Sequence, residues 1–307
     1  MLPFRLLLAG LCALAAAAGP QLVTLSASAV AHTYTGHGGL SAGASSRLLR
    51  DYPPAIQSDI YDMLFKPQHG LGLGLAKVEI GGDAQSTDGT EASHMHSRDD
   101  LSCTRGYELD FLRNARARNP QIKTYGLSWG APHWVNNGTF FGPEMVHYQT
   151  QWVACMAKEG VSMDYLGVYN ERYWGGAEYI KSLRAGLDAA GFAATQIIIP
   201  DGGYDAKIMA DAATDAAFNA SFAGVGLHYP CDKPAPEVQA GGKLFWASEE
   251  CAGRRALQLL PRARASHRLH EAPPAPLPPF PTAAGGRSPI GRALPTGGIF
   301  SCRTMSE

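Results

Sequence analysis

The chain has 307 residues, 45% of them hydrophobic, and a formal net charge of −1. That is apolar material enough for one large core, and the balance excludes a broad basic face of the kind that binds nucleic acid. Charge is unevenly spread: eight arginines against two glutamates leave +6 from Cys251 onward, so residues 19–250 carry about −8.

Residues 1–18 combine Arg5, an apolar run over 6–14 and four alanines over 15–18, the pattern of a secretory signal peptide. The run is too short for a comfortable transmembrane span, and no other stretch is longer. The expectation is an exported protein without a transmembrane segment. Cys103, Cys155, Cys231, Cys251 and Cys302 lie beyond the signal and form no Cys-x-x-Cys pair. This argues against a zinc ribbon or a disulfide-dense miniature fold and leaves room for one or two disulfides. Asn137-Gly138-Thr139 and Asn219-Ala220-Ser221 are glycosylation sequons that fit export.

Residues 33–43 read as a glycine-rich strand and turn. After Pro53-Pro54, the recurrence of Ile56, Ile60, Met63 and Leu64 predicts a helix. A strand over 76–80 follows and ends at Gly81-Gly82-Asp83. The glycines around it contain neither G-x-G-x-x-G nor a Gly-Lys-Ser/Thr loop, so no nucleotide cofactor is expected. Across the polar loop 83–102, His94 and His96 stand two apart but lack a third ligand at a convincing spacing, so no metal is expected. Helix 107–118 stops at Asn119-Pro120, and strand 122–129 runs to Trp129. Helix 143–159 begins at Pro143 and is closed by Gly160. Strand 164–169, helix 177–190, strand 196–200, helix 206–218, strand 223–230 and strand 244–248 complete the alternation. Seven strands alternating with helices predict a parallel sheet.

The fourth and seventh of these strands each end in a carboxylate, Glu171 and the Glu249-Glu250 pair. In a parallel β/α barrel all such ends face one mouth. Two carboxylates there are the minimum for cleaving a glycosidic bond. Either glutamate alone also fits a strand end that simply meets water; the pair is more specific. Strict alternation puts Glu249 and Glu250 on opposite sides of a strand and does not choose between them. A β/α barrel closes with eight strands, and an eighth is not recognisable. Residues 251–307 carry nine prolines, which exclude regular structure through most of that stretch and suggest a disordered, low-complexity tail.

Residues 38–49 (GGLSAGASSRLL), 78–96 (VEIGGDAQSTDGTEASHMH), Gly126-Leu127-Ser128-Trp129, Tyr169-Asn170-Glu171-Arg172, His228-Tyr229-Pro230 and Trp246-Ala247-Ser248-Glu249 together resemble the galactosylceramidase family. The resemblance runs over about 34–250. It implies a (β/α)8 TIM-type barrel and a retaining β-galactosidase acting on galactosylceramide and related galactolipids, in the lysosome or secreted. Carried over, it makes Glu171 the acid/base and Glu249 the nucleophile, and it sets Thr87, Trp129 and Asn170 around the galactose. His228 would be a wall of the pocket or a hydrogen-bonded support. Retention asks one carboxyl to hold its proton and the other to stay charged. The implied partners are the galactolipid and a lipid-presenting activator protein, without cofactor or metal. Alternatives are another retaining barrel glycosidase (β-glucosidase or glucosylceramidase-like) and a non-catalytic product. Family members continue through an eighth strand, further pocket residues, a β-sandwich and a lectin-like domain, which are not recognisable after residue 250. The domain reading is therefore signal 1–18, barrel 19–250, incomplete after strand seven, and tail 251–307. Unpaired edges at strands one and seven lead us to expect low stability and little or no activity.

Overall fold

The computed structural model describes residues 35–86, 89–229 and 236–250, together with the backbone of 303–304. The predicted signal, Thr87 and nearly all of the Pro/Arg-rich tail lie outside these residues. All described residues belong to one unit, Tyr34–Glu307.

Seven parallel strands follow one another in sequence order: β1 (Gly38–Ser41), β2 (Leu75–Ile80), β3 (Lys123–Ser128), β4 (Tyr165–Gly167), β5 (Gln196–Gly202), β6 (Gly224–His228) and β7 (Leu244–Glu249). The main helices are α1 (Pro54–Phe65), α2 (Glu108–Arg118), α3 (Pro143–Lys158), α4 (Gly176–Ala189), α5 (Lys207–Thr214), α6 (Ala216–Ser221) and α7 (Pro236–Ala240). Each strand pairs with the next in parallel, the winding of a β/α barrel.

The strands are covered on both faces, which is why they read as near-continuous apolar runs. In β2 all six residues are buried. Ala76, Val78 and Ile80 join the large core shared with the helices. Leu75 instead packs on the inner face with Tyr125, Ile198 and Trp246. Above that apolar layer the inner face turns polar: Lys77, Glu79, Asp201, Ser248 and Glu249 are all buried there or at the strand ends. Cys103 and Cys155 form a disulfide that ties the loop before α2 to α3.

Several elements differ from the sequence reading. The predicted helix 206–218 is two helices, because Asp215 is extended and its carboxylate accepts the Phe218 amide at 2.9 Å, starting α6 afresh. Strand β4 ends at Gly167, two residues early, as the chain turns towards the site. Val135–Gly138 and Ser45–Asp51 are 3₁₀ turns, short segments without a periodic apolar signature. The seventh strand was expected to have a bare edge. Instead Arg303–Thr304, here β8, pairs antiparallel with Trp246 and Ala247 of β7, as an open edge does with an extended segment within reach. Among the described residues, no strand pairs with the outer edge of β1.

Candidate active site

The C-terminal ends of β4 to β7 converge, and their backbone is shaped to do so. Glu171, Asp201 and Tyr229 follow or end β4, β5 and β6, and all three adopt left-handed conformations, with φ of 52°, 60° and 47°. Such strain in non-glycine residues clusters at functional sites. Glu171 is fixed there by its amide, which donates to the Asp201 carbonyl at 3.0 Å.

Two of the convergent side chains arrive through irregularities in pairing. Between β5 and β6, Pro200 faces Gly226 and Gly202 faces Leu227, so Asp201 is an extra residue. Between β6 and β7, Leu227 faces Ala247 and His228 faces Glu249, so Ser248 is extra. A β-bulge re-aims the residues that follow it. Here Trp246, Ser248 and Glu249 all reach the inner face, where strict alternation would have turned Glu249 away.

Glu249 is gripped from three sides. Lys77 Nζ lies 3.2 Å from Oε1, and the Tyr229 hydroxyl donates to Oε2 at 3.1 Å. His228 Nδ1 stands 3.4 Å from the same Oε2. The same nitrogen is 3.1 Å from Oε1 of Glu171, whose side chain is 48% exposed and so faces the open mouth. One oxygen of each glutamate and a ring nitrogen of His228 all lie within 4.8 Å of one another.

Asp201, fully buried, sits beneath the pair. Its Oδ1 accepts from Lys77 at 2.9 Å, His228 Nε2 at 2.7 Å and Ser248 Oγ at 2.9 Å. Its Oδ2 accepts from the Tyr125 hydroxyl. Burial alone would push this carboxyl up. The charge of Lys77, with His228 and Tyr125, outweighs burial and holds it well below the usual range. Burial likewise pulls His228 down, yet the hydrogen bond and charge of Asp201, aided by Glu249, leave it above its ordinary value. Gly167 keeps this space open: a Cβ there would stand 2.7 Å from Asp201 Oδ2 and 2.8 Å from the Tyr125 hydroxyl.

Of the residues picked from the sequence, Glu171, Glu249 and His228 are brought into contact. Trp129, half-buried at the end of β3, has its ring centroid 5.8 Å from Lys77 Nζ. The backbone N–H of Asn170 donates to the Ser128 carbonyl at 2.8 Å, and its buried side-chain Oδ1 has no partner among the described residues. Thr87 lies outside the described residues. Lys77, Asp201, Tyr125 and Tyr229 were missed. Lys77 was visible in the sequence as the one cation of a buried strand whose only other charge is Glu79; Asp201 carried no such signal beside Pro200. The cluster of two glutamates and a histidine has the spread of a metal site, but both His228 nitrogens face carboxylates. The ring therefore serves the carboxylates as a hydrogen-bonding group, Nε2 towards Asp201 and Nδ1 towards both glutamates.

The sequence model described as "Glycosyl hydrolase family 59" matches residues 34–269. The chain belongs to this family. It is 43% identical over 224 residues to galactocerebrosidase of Danio rerio, covering 71% of this chain and 33% of that protein. With galactocerebrosidase of Homo sapiens it shares 38% identity over 247 residues, covering 78% of this chain and 36% of that protein. The chain thus spans about a third of the length of the curated relatives it matches. Among solved structures, an endo-β1,6-glucanase superposes with a TM-score of 0.57 at 18% identity, over 70% of this chain and 57% of the other. That likeness supports the barrel fold alone. No helix among the described residues is long and apolar enough to cross a membrane.

Proposed function

We propose that this chain carries the paired-carboxylate site of a retaining β-galactosidase acting on galactosylceramide and related galactolipids. The observation that carries this reading is the close approach of Glu171 and Glu249, with oxygens less than 4.8 Å apart. That separation suits the spacing of about 5–5.5 Å used for covalent catalysis better than the roughly 6.5–9.5 Å that leaves room for an intervening water. Glu249 attacks the anomeric carbon and forms a glycosyl ester, while Glu171 gives its proton to the departing ceramide oxygen. Glu171 then takes a proton from water, which attacks the same carbon and frees the Glu249 carboxylate. Asn170, next to the acid, is suited to the sugar 2-hydroxyl, Trp129 to the apolar C–H face of galactose, and Thr87 to its hydroxyls. His228 forms the floor between the carboxylates.

The relatives named above are galactocerebrosidases, which supports galactosylceramide as substrate; a lipid-presenting activator protein is a further partner in this proposal. We extend the proposal to export and lysosomal or extracellular residence. The pattern of residues 1–18, the Cys103–Cys155 disulfide and the exposed Asn137 sequon support it. Asn219 is a poorer acceptor, being half-buried in α6.

The test is trapping with a 2-deoxy-2-fluoro-galactosyl reagent followed by peptide mass spectrometry, beside turnover of aryl β-galactosides and β-glucosides. A galactosyl adduct on Glu249 and preference for galactosides are expected. Faster glucoside turnover would move the assignment to a glucosidase, and a folded chain without adduct would remove the catalytic role.

A further inference from the structure

We infer that Asp201 is a positioning residue for the paired carboxylates: it fixes the ring and tautomer of His228 so that Nδ1 addresses Glu171 and Glu249 together. The geometry is asymmetric in an informative way. An ionised carboxylate only accepts hydrogen bonds. Asp201 Oδ1, 2.7 Å from His228 Nε2, therefore requires a proton on Nε2 in every state of the ring. The variable proton is left to Nδ1, which stands 3.1 Å from Glu171 Oε1 and 3.4 Å from Glu249 Oε2. Nδ1 is thus the ring's hydrogen-bonding contact with Glu171. Either the imidazolium donates to the Glu171 carboxylate, or the Glu171 hydroxyl donates to the neutral ring. When the ring is charged, it places a positive group between two carboxylates that would otherwise repel.

Among the described residues, the charged or titratable groups set against His228 are these. Glu171 comes from the turn after β4, Asp201 from β5, Glu249 from β7 and Tyr229 from just beyond β6. Lys77 of β2 and Tyr125 of β3 act through Asp201. Burial and Lys77 pull His228 down, and Asp201 with Glu249 outweighs them and leaves it above its ordinary value.

The catalytic part rests on the proposed glycosidase activity, so the test has two arms. In the first, imidazole ¹⁵N NMR follows His228 in the intact chain, assigned by loss of its signals in His228→Gln. Nε2 should stay protonated throughout pH 5–8, and Nδ1 should lose its proton above the usual histidine range of about 6.5. An unprotonated Nε2 at neutral pH would overturn the inference, without need of an Asp201 variant. In the second arm, Asp201→Asn should release the His228 proton at lower pH. It should lower kcat/KM on an aryl β-galactoside by about 10²-fold, mostly in kcat, and move the basic limb of the pH profile to lower pH in parallel. Loss of activity with an unmoved limb means a merely structural Asp201 and overturns the inference. A wild-type chain that turns over no galactoside sinks the proposed function, while the NMR arm still decides how Asp201 and His228 are related.

Discussion

Replacing Lys77 by methionine keeps most of the aliphatic volume and deletes one buried charge. The side chain is 1% exposed, and its Nζ lies 2.9 Å from Asp201 and 3.2 Å from Glu249. At an effective dielectric of about 20, unit charges roughly 3 Å apart attract by about 5 kcal/mol. Desolvation of the ammonium offsets much of that, and removing one partner from a buried ion pair lowers stability by about 3–5 kcal/mol. Asp201 keeps His228, Tyr125 and Ser248, and Glu249 keeps Tyr229 and His228, so the loss falls within that range rather than beyond it. For 150–250 ordered residues it corresponds to a fall in Tm of roughly 6–20 °C. Scanning calorimetry at pH 7 on wild type, Lys77→Met, Asp201→Asn and the double variant gives the pairwise coupling directly. A fall below about 2 °C in the single variant, or strict additivity in the cycle, would refute the reasoning from paired burial.

Other consequences can be checked separately. Burial pushes Glu91 up to about 7, and burial raises Glu108 and Glu79 as well. The folded state therefore binds protons that the unfolded chain releases. The associated stability is complete below the ordinary glutamate value and is lost as pH rises through about 7. The urea midpoint should be higher at pH 5 than at pH 8, and Glu91→Gln should shrink the gap; a higher midpoint at pH 8 contradicts this. Cys103→Ala/Cys155→Ala opens a disulfide spanning 52 residues and should lower unfolding free energy by about 4 kcal/mol on the loop-entropy account, read by denaturant titration with and without reductant. Glu171→Gln should reduce kcat on a poor leaving group by about 10²–10⁴-fold, with azide restoring turnover of an activated substrate as β-galactosyl azide; an α-linked product would reject retention.

The strand–helix alternation was readable because each parallel strand is buried on both faces and each helix shows one apolar stripe. Glu171 and His228 were readable because the first lies in the turn just after such a strand and the second ends one. What escaped was set by backbone irregularity. Asp201 enters the site only because it is the extra residue beside Gly202, and Glu249 only because Ser248 is extra beside it. Alternation arguments assume regular pairing, so they were silent between Glu249 and Glu250 and blind to Asp201. Asp215 ended a helix early because its carboxylate caps the next one, a preference that a periodicity count over 206–218 averages away. Tyr229 was overlooked because the predicted strand 223–230 makes it an ordinary strand residue, whereas β6 ends at His228 and a left-handed turn at Tyr229 accompanies its hydroxyl's contact with Glu249.

Hydrogen-bonded ladders connect each strand only to its immediate neighbours, whereas the Asp201 side chain touches residues from β2, β3, β6 and β7 at once. It works as a hub with spokes running across the hollow of the sheet, so curvature is braced from inside rather than only by circumferential pairing. Neutralising that hub should loosen widely separated strands in concert, with amide exchange in β2 and β7 accelerating together although the two share no ladder.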